Sequence, residues 1–390
     1  MYVSTPPQVK EQRLSEEHAA LVKATLPAVG ENIETIARNF YERMFTAHPE
    51  LLRDTFNRGN QKSGAQQKAL AASVATFATM LVDPEAPDPV HMLNRVAHKH
   101  VPLGIVEDQY PIVHENLMAA IGEVLGDAVT EDVADAWSTV YWLMADVLLN
   151  QEEELYASDD VKPGDVFREV EVTDKQSLTE NVTTYTLRGD LVKPRPGQYT
   201  SIGVVLPDGA RQLRQYSIVA GDENFYRIAV ETDGEVSNHL KQKVDTGDTI
   251  QATLAAGDLV LEDGDNPVVL ISSGIGSTPI IGMLSYLTRT QSDRKITCLV
   301  ADESEATLAQ KEEGDSFVEQ LKNASVFFSY RDHGEMLKPS EHDVAGADVY
   351  ICGGSAFLQS VRDDLETLPA DQAPAVIRYE LFSPNDWLVN

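Results

Sequence analysis

The stretch "VVLISSGIGSTPIIGMLSYL", from Val268 to Leu287, carries no charged residue. Its length is about that of a bilayer-spanning helix, for which roughly 20 apolar residues suffice. Its centre argues otherwise. Gly274, Gly276 and Pro279 fall in the middle, where they would interrupt a spanning helix but suit a tight turn opening a new one. The stretch therefore predicts a buried strand, a glycine turn and a helix, and no membrane span.

Downstream the same rhythm repeats. "KITCLVA", "ASVFFSY", "DVYICG" and "AVIRYELF" are apolar runs of strand length, separated by segments such as "FLQSVRDDLETL". Apolar strands alternating with helices predict a parallel sheet covered on both faces. Upstream, "FREVEVTDK", "VTTYTLRG", "GQYTSIGVVL", "RQYSIVA", "YRIAVET" and "DTIQATLAA" are short β-type runs with turn signals between them, the spacing of an antiparallel barrel. Further upstream the period is helical. In "IETIARNFYERMF", Ile33, Ile36, Ala37 and Phe40 fall at i, i+3, i+4 and i+7, one face of a helix. The linker-like "YASDDVKPGD" ends that region. The expected organisation is multidomain: an all-α domain over 1–157, an antiparallel β-barrel over 158–263 and a parallel α/β domain over 264–390.

Composition narrows the partners. The 390 residues carry a formal net charge of −31, the wrong sign for a phosphate backbone or an anionic membrane surface. Two cysteines, Cys298 and Cys352, with no CxxC, exclude a disulfide framework and a zinc ribbon. The opening "MYVSTPPQVKEQ" lacks the apolar core of a signal peptide. A cytoplasmic monomer acting on small molecules is expected.

The turns and strands suggest nucleotide sites. Gly274 and Gly276 let backbone N–H groups approach a pyrophosphate at a helix N-terminus, with Ser277, Thr278 and Pro279 opening the helix. A second turn, "VYICGGSAF", brings Cys352, Gly353 and Gly354 to the end of another strand. Asp302 and Glu303 follow "CLVA", where an acid suits a ribose hydroxyl and repels a 2′-phosphate; solubility alone would also explain them. In "RQYSI", Arg214 offers a planar fork for a phosphate, Tyr216 a flat ring and Ser217 a hydroxyl for a flavin nitrogen. In "DGEVSNHL", Ser237 reads as a helix N-cap whose freed amides could hold a pyrophosphate. These strings, with "RPGQY" and the late aromatic in "YELFSP", resemble the ferredoxin-reductase family over about Phe167 to Asn390.

The helical region holds the histidines of interest. Leu93, Val96, Ala97 and His100 fall at i, i+3, i+4 and i+7, so His100 continues an apolar stripe while His98 and His91 turn away. On the stripe alone, a core histidine bonded to a backbone carbonyl is the better reading. His114 is a weaker rival. Tyr41 places a phenol inside an apolar helix, and a buried phenol needs a partner. Phe56 precedes a polar loop. Gln66 and Leu70 share a face at i, i+4.

The whole chain resembles the flavohemoglobins, a globin fused to a ferredoxin-reductase-like module. "NFYERMF", "PELLRDTFN", "AHKH", "RQYSI", "GEVSN" and "GIGSTP" carry the resemblance in order. It implies haem b held by His100 as the iron ligand, with Tyr41 and Gln66 as distal hydrogen-bonding groups and Phe56 and Leu70 packing the haem. Tyr110 and Glu154 match the pair that orients the iron-bound histidine. Glu154 continues a seven-residue spacing from Val140 and Val147, though it also belongs to the charged run "QEEEL". The resemblance assigns Tyr199, Arg214, Gln215, Tyr216, Ser217, Gly234, Val236, Ser237 and Phe382 to FAD. It assigns Gly274, Gly276, Ser277, Thr278, Pro279, Cys352 and Gly353 to NADH, with NADPH possible.

The implied activity is nitric oxide dioxygenation to nitrate, using O2 and electrons from NAD(P)H. An oxygen or redox sensor, or a reductase of another acceptor, are the alternatives. Three departures stand out: Glu231 in "ETDG" where a basic residue is expected, "CGG" for C-G-P, and "LFSP" for F-G-P.

Overall fold

The computed structural model describes residues 14–58, 61, 65–83 and 89–382. They form two compact units, one made by the helices up to Val166 and one made by the barrel and the parallel sheet.

The first unit is all-α. Its helices are α1 (Glu16–Glu31), α2 (Ile33–Ala47), α3 (Pro49–Asp54), α4 (Ala65–Val82), α5 (Pro89–His100), α6 (Tyr110–Leu125) and α7 (Glu131–Ser158). Ser15 caps α1 and Thr130 caps α7, each hydroxyl accepting a backbone N–H three residues on. Pro102 lies just past the end of α5, and Gly104 takes the left-handed conformation that closes the following turn. The apolar stripes meet in one core. Ile36, Phe40 and Met44 of α2, Leu93 and Ala97 of α5, and Trp137, Val140 and Leu148 of α7 are all buried within it. Each such large side chain contributes about 1.5–3 kcal/mol on leaving water.

In the second unit, six antiparallel strands close a barrel in the order β1-β2-β5-β4-β3-β6. These are β1 (Phe167–Ser177), β2 (Val182–Arg188), β3 (Tyr199–Val205), β4 (Arg211–Gly221), β5 (Phe225–Glu231) and β6 (Thr249–Thr253). Helix α8 (Glu235–Lys243) follows β5. Closure removes the free edges that would otherwise template aggregation. Val170, Val172, Tyr185, Leu187, Ile202, Ile218 and Ile228 fill the interior.

Five parallel strands then form a sheet in the order β11-β10-β7-β8-β9. They are β7 (Val268–Ser273), β8 (Ile296–Asp302), β9 (Ala324–Tyr330), β10 (Asp348–Gly353) and β11 (Val376–Leu381), joined through helices α9 (Ser277–Arg289), α10 (Lys311–Gln320) and α11 (Ser355–Glu366). The uncharged run from Val268 to Leu287 is therefore β7, the glycine turn and most of α9. Central strand β7 is buried on both faces: Val268 and Leu270 join one core cluster, Val269 and Ile271 another. Among the described residues no helix is long and apolar enough to cross a membrane.

Candidate functional site

The helical unit concentrates its buried polar chemistry around His100. The imidazole Nδ1 lies 2.7 Å from Glu152 Oε1 and 3.3 Å from the Tyr110 hydroxyl. Tyr110 donates to the same carboxylate oxygen at 2.6 Å. Glu152 is only 2% exposed; both donors converge on its Oε1, and its Oε2 is buried with no hydrogen-bond partner among the described residues. Burial, and then the Glu152 charge, hold the Tyr110 phenol far above its ordinary pKa, so it stays a donor. With Nδ1–H spent on a carboxylate, the other ring nitrogen is left as the basic one. Such an imidazole, fixed in tautomer and orientation, suits a metal.

Helix α7 fastens this region at three points. Tyr141 donates to the Tyr110 carbonyl at 2.8 Å, Glu152 takes the two side-chain donors, and Tyr156 donates to the Ile105 carbonyl at 2.7 Å. The segment from His100 to Tyr110 is thereby held at both ends and in the middle.

The sequence expectation for the carboxylate needs correction: Glu152 occupies the position expected of Glu154, which is exposed. Counting sevens from Val140 and Val147 lags a real helix by about 20° per step. Tyr141, Ala145, Leu148 and Glu152 instead follow i, i+4, i+7 and i+11, close to three whole turns, and all four are buried. The residue two positions on points nearly the opposite way.

Tyr41 is 4% exposed. Burial pushes its phenol well above the ordinary value, and a hydrogen bond with the Gln61 side chain pulls the other way. Its ring meets Phe56 edge-on at 5.9 Å and Phe45 at 5.5 Å, and Phe45 meets Phe56 at 5.3 Å. The structure thus brings Tyr41 and Phe56 together and adds Gln61 and Phe45, which sequence reasoning missed. Gln66 and Leu70 fall on α4, and their side chains lie outside the described residues. His114, the rival histidine, accepts or donates at 2.8 Å to Ser138 and lies among Tyr141 and Trp142. Burial lowers its pKa, the mark of a core histidine.

In the barrel, Arg214 of β4 lies 3.3 Å from Glu235 at the start of α8. That contact draws "RQYSI" and "GEVSN" to one place. Ser237 is not the N-cap: Gly234 is, and Ser237 sits three residues in. Its hydroxyl reaches back to accept the N–H groups of Asp233 and Gly234 at 2.9 and 3.0 Å. The turn is locked by its own serine, and the next amides, at Glu235 and Val236, are the ones a helix leaves open to an anion. Tyr199 is buried and its hydroxyl accepts from Gln215 at 3.2 Å. Tyr216 is half-buried with its pKa raised by burial, and Ser217 is buried beside it. Phe382 stands 53% exposed just beyond β11. An arginine fork, an open helix start and flat aromatic rings fit a flavin dinucleotide.

The two glycine turns of the parallel sheet abut. A methyl at Gly276 would stand 2.5 Å from the Cys352 carbonyl oxygen, and one at Gly353 would stand 2.7 Å from the Phe357 ring. Backbone walls in Gly276, whereas the atoms nearest Gly353 belong to side chains. Gly274 differs: its φ is +55° and the space where a side chain would go is open. It keeps an approach to the start of α9, where Ser277 donates to Gln310 and Thr278 to the Ile275 carbonyl. Pro279 is buried in the first turn of that helix. Cys352 is fully buried, and burial drives its thiol far above the ordinary pKa, so it is inert. Asp302 turns into its own loop, accepting from the Glu303 amide and the Thr307 hydroxyl. Glu303 pairs with Arg331. Burial raises the pKa of Glu231, with the Asp233 and Asp302 charges adding to it.

A globin family model matches residues 38–148. The flavohemoprotein of Deinococcus radiodurans is 36% identical over 399 residues, covering 95% of this chain and 98% of its own. That of Halalkalibacterium halodurans is 36% identical over 407 residues, covering 95% and 97%. A crystal structure of flavohemoglobin from Malassezia yamatoensis with bound FAD and haem aligns with a TM-score of 0.88 and 32% identity, over 95% of this chain and 100% of that one. With over a third of positions shared with curated relatives across nearly the full length of both chains, this chain belongs to the flavohemoprotein family.

Proposed function

We propose that this chain is a nitric oxide dioxygenase. It would carry haem b on His100, FAD on the barrel and NADH on the parallel sheet. With them go the boundaries suggested by the sequence: a haem domain over 1–157, a flavin domain over 158–263 and a nicotinamide domain over 264–390. When bound, these groups supply the redox chemistry that turns nitric oxide and O2 into nitrate. The observation that carries the reading is the Glu152–His100–Tyr110 network. A carboxylate on Nδ1 makes the imidazole a strong electron donor, which favours oxygen activation over simple storage. Tyr110 holds that carboxylate in place by donating to the same oxygen.

Tyr41 is the proposed distal donor, kept protonated by burial. A hydroxyl aimed at developing negative charge stabilises it without reorganising, and Phe56 and Phe45 hold the ring. Gln66 keeps its proposed distal role from the family match. NADH is proposed over NADPH, because Glu231 replaces an expected base and Asp302 and Glu303 add negative charge at the end of β8.

The test is NADH-driven, O2-dependent nitric oxide consumption by the purified holoprotein, with nitrate measured as product. Tyr41→Phe should slow that consumption while reduction of a free flavin acceptor by NADH stays nearly intact. Equal loss of both would sink the role given to Tyr41. A protein that binds haem but turns over no nitric oxide would point to a sensor, or to a reductase of another acceptor.

A further inference from the structure

Helix α9 touches the barrel at two adjacent residues, and both contacts land on the flavin strings. A methyl at Gly282 would stand 2.5 Å from the Ile218 carbonyl oxygen, with the Val219 Cα at 3.7 Å. Ile218 is the last residue of "RQYSI", directly after Tyr216 and Ser217. The next residue, Met283, packs its terminal methyl on the turn of "RPGQY": a methyl at Gly197 would stand 2.7 Å from it. The two strings are themselves joined, since the Ile218 amide donates to the Gln198 carbonyl at 2.9 Å. Around them Val219, Ala229, Leu259 and Leu261 share one buried cluster with Leu270, Ile280, Ile281, Met283 and Leu284. An ion pair from Arg227 of β5 to Glu313 of α10 is a further link between the barrel and the helices of the parallel sheet. The N-terminus of α9 is the glycine turn, so one rigid rod runs from that turn to the strand bearing Tyr216 and Ser217.

We propose that Gly282, seconded by Met283, is a positioning residue for hydride transfer from reduced nicotinamide to flavin. The transfer moves two electrons and one proton as a hydride, oxidising NADH to NAD+ and reducing FAD. The absence of a side chain at Gly282 sets how closely the rod lies on the flavin strand. Helix and strand meet backbone to backbone there, so an added methyl cannot be absorbed by a flexible side chain. A misplacement of about 1 Å costs on the order of a hundredfold in such steps. The inference rests on the flavin and nicotinamide assignment alone and is independent of what the haem does.

The test compares Gly282→Ala with Ser285→Ala, a control on the same helix, as FAD-loaded holoprotein. Anaerobic stopped-flow should show flavin reduction at saturating NADH slowed about 10- to 100-fold. The long-wavelength charge-transfer absorbance between nicotinamide and flavin should weaken with it. NAD+ affinity should stay within about twofold, and FAD content and reduction by dithionite should not change. Ser285→Ala should match the wild type throughout. A Gly282→Ala protein with wild-type rate and charge-transfer band, even if less stable, overturns the proposal. So does one whose only change is weaker NAD+ binding. If Gly282→Ala fails to fold or loses FAD, Met283→Leu decides. That swap conserves volume but reshapes the contact on Gly197. A several-fold slower reduction with a weaker band supports the proposal, and wild-type values overturn it.

Discussion

The His100 region and the glycine turns are both built for binding, but from opposite materials. Around His100 the working parts are buried polar side chains: one carboxylate oxygen shared by a phenol and an imidazole, with two more phenols bonded to backbone carbonyls. At the glycine turns the working part is bare backbone. Gly276 is pressed on the Cys352 carbonyl and Gly282 on that of Ile218. The first site should therefore answer to a change of charge at constant shape, and the second to a change of shape at constant charge.

The largest effect tests the second half of that contrast. At Gly276 a Cβ would meet the Cys352 carbonyl carbon and oxygen and the Gly353 Cα, all within 2.9 Å. Gly276→Val adds two more methyls to a place already walled by backbone. Overpacking of this kind costs about 1–3 kcal/mol or more, a fall of roughly 3–10 °C in the melting temperature of the reductase part. NADH-driven flavin reduction should be lost, while haem binding and its spectrum remain. Differential scanning calorimetry with a haem spectrum checks both. A variant as stable and as active as the parent would remove the case for backbone contact.

The matching test at His100 keeps shape and removes charge. Glu152→Gln should raise the reduction potential of the bound iron. Nitric oxide consumption should fall about 10- to 100-fold, the usual cost of changing a group that orients a metal-bound histidine. Glu154→Gln, two residues on and exposed, should stay within about twofold. Redox titration of both variants checks this. Equal behaviour of the two would mean the carboxylate on Nδ1 does no electronic work.

That pair also shows where the sequence stopped being legible. Strand runs and glycine turns declare themselves locally, because a period of two or a Gly-Ile-Gly at a strand end has few other readings. His100 was legible as the end of a stripe. The carboxylate was not, because "QEEEL" offers three acids in a row and only the packing of α7 against the His100–Tyr110 segment selects one. Counting eleven residues, about three turns, from Tyr141 rather than sevens from Val140 would have chosen Glu152. Ser237 misled for a related reason. A serine in a loop-to-helix string reads as an N-cap, yet here its hydroxyl reaches back three residues, so the helix starts earlier, at Gly234. Gln61 left no signal at all, since a lone polar residue in a string that reads as a loop can turn toward a buried phenol without any periodic pattern.

The smallest effect lies on the same helix as Glu152, seven residues further on. Asp159 follows the last residue of α7, where the helix presents free carbonyls and its dipole disfavours a negative charge. Glu152 has two donors; no donor to the Asp159 side chain is seen among the described residues. Burial without compensation pushes its carboxyl up to about 6. The folded pKa lies above the unfolded one, so the folded state holds the extra proton between the two values. Stability is then greatest when the group is protonated and falls as pH rises from about 4 to about 6. Asp159→Asn keeps the shape and removes the charge. Asp159 is half-buried, and screening should hold the gain to about 1 kcal/mol at pH 7 to 8, or roughly 2–4 °C. Below about pH 3 the gain should vanish, because the aspartate is then largely neutral in both states. Thermal melts of the two proteins across that range, followed by circular dichroism, read the difference directly. A gain equal at pH 4 and pH 8 would assign it to something other than charge, and the contrast with Glu152 would no longer rest on partnered versus unpartnered burial.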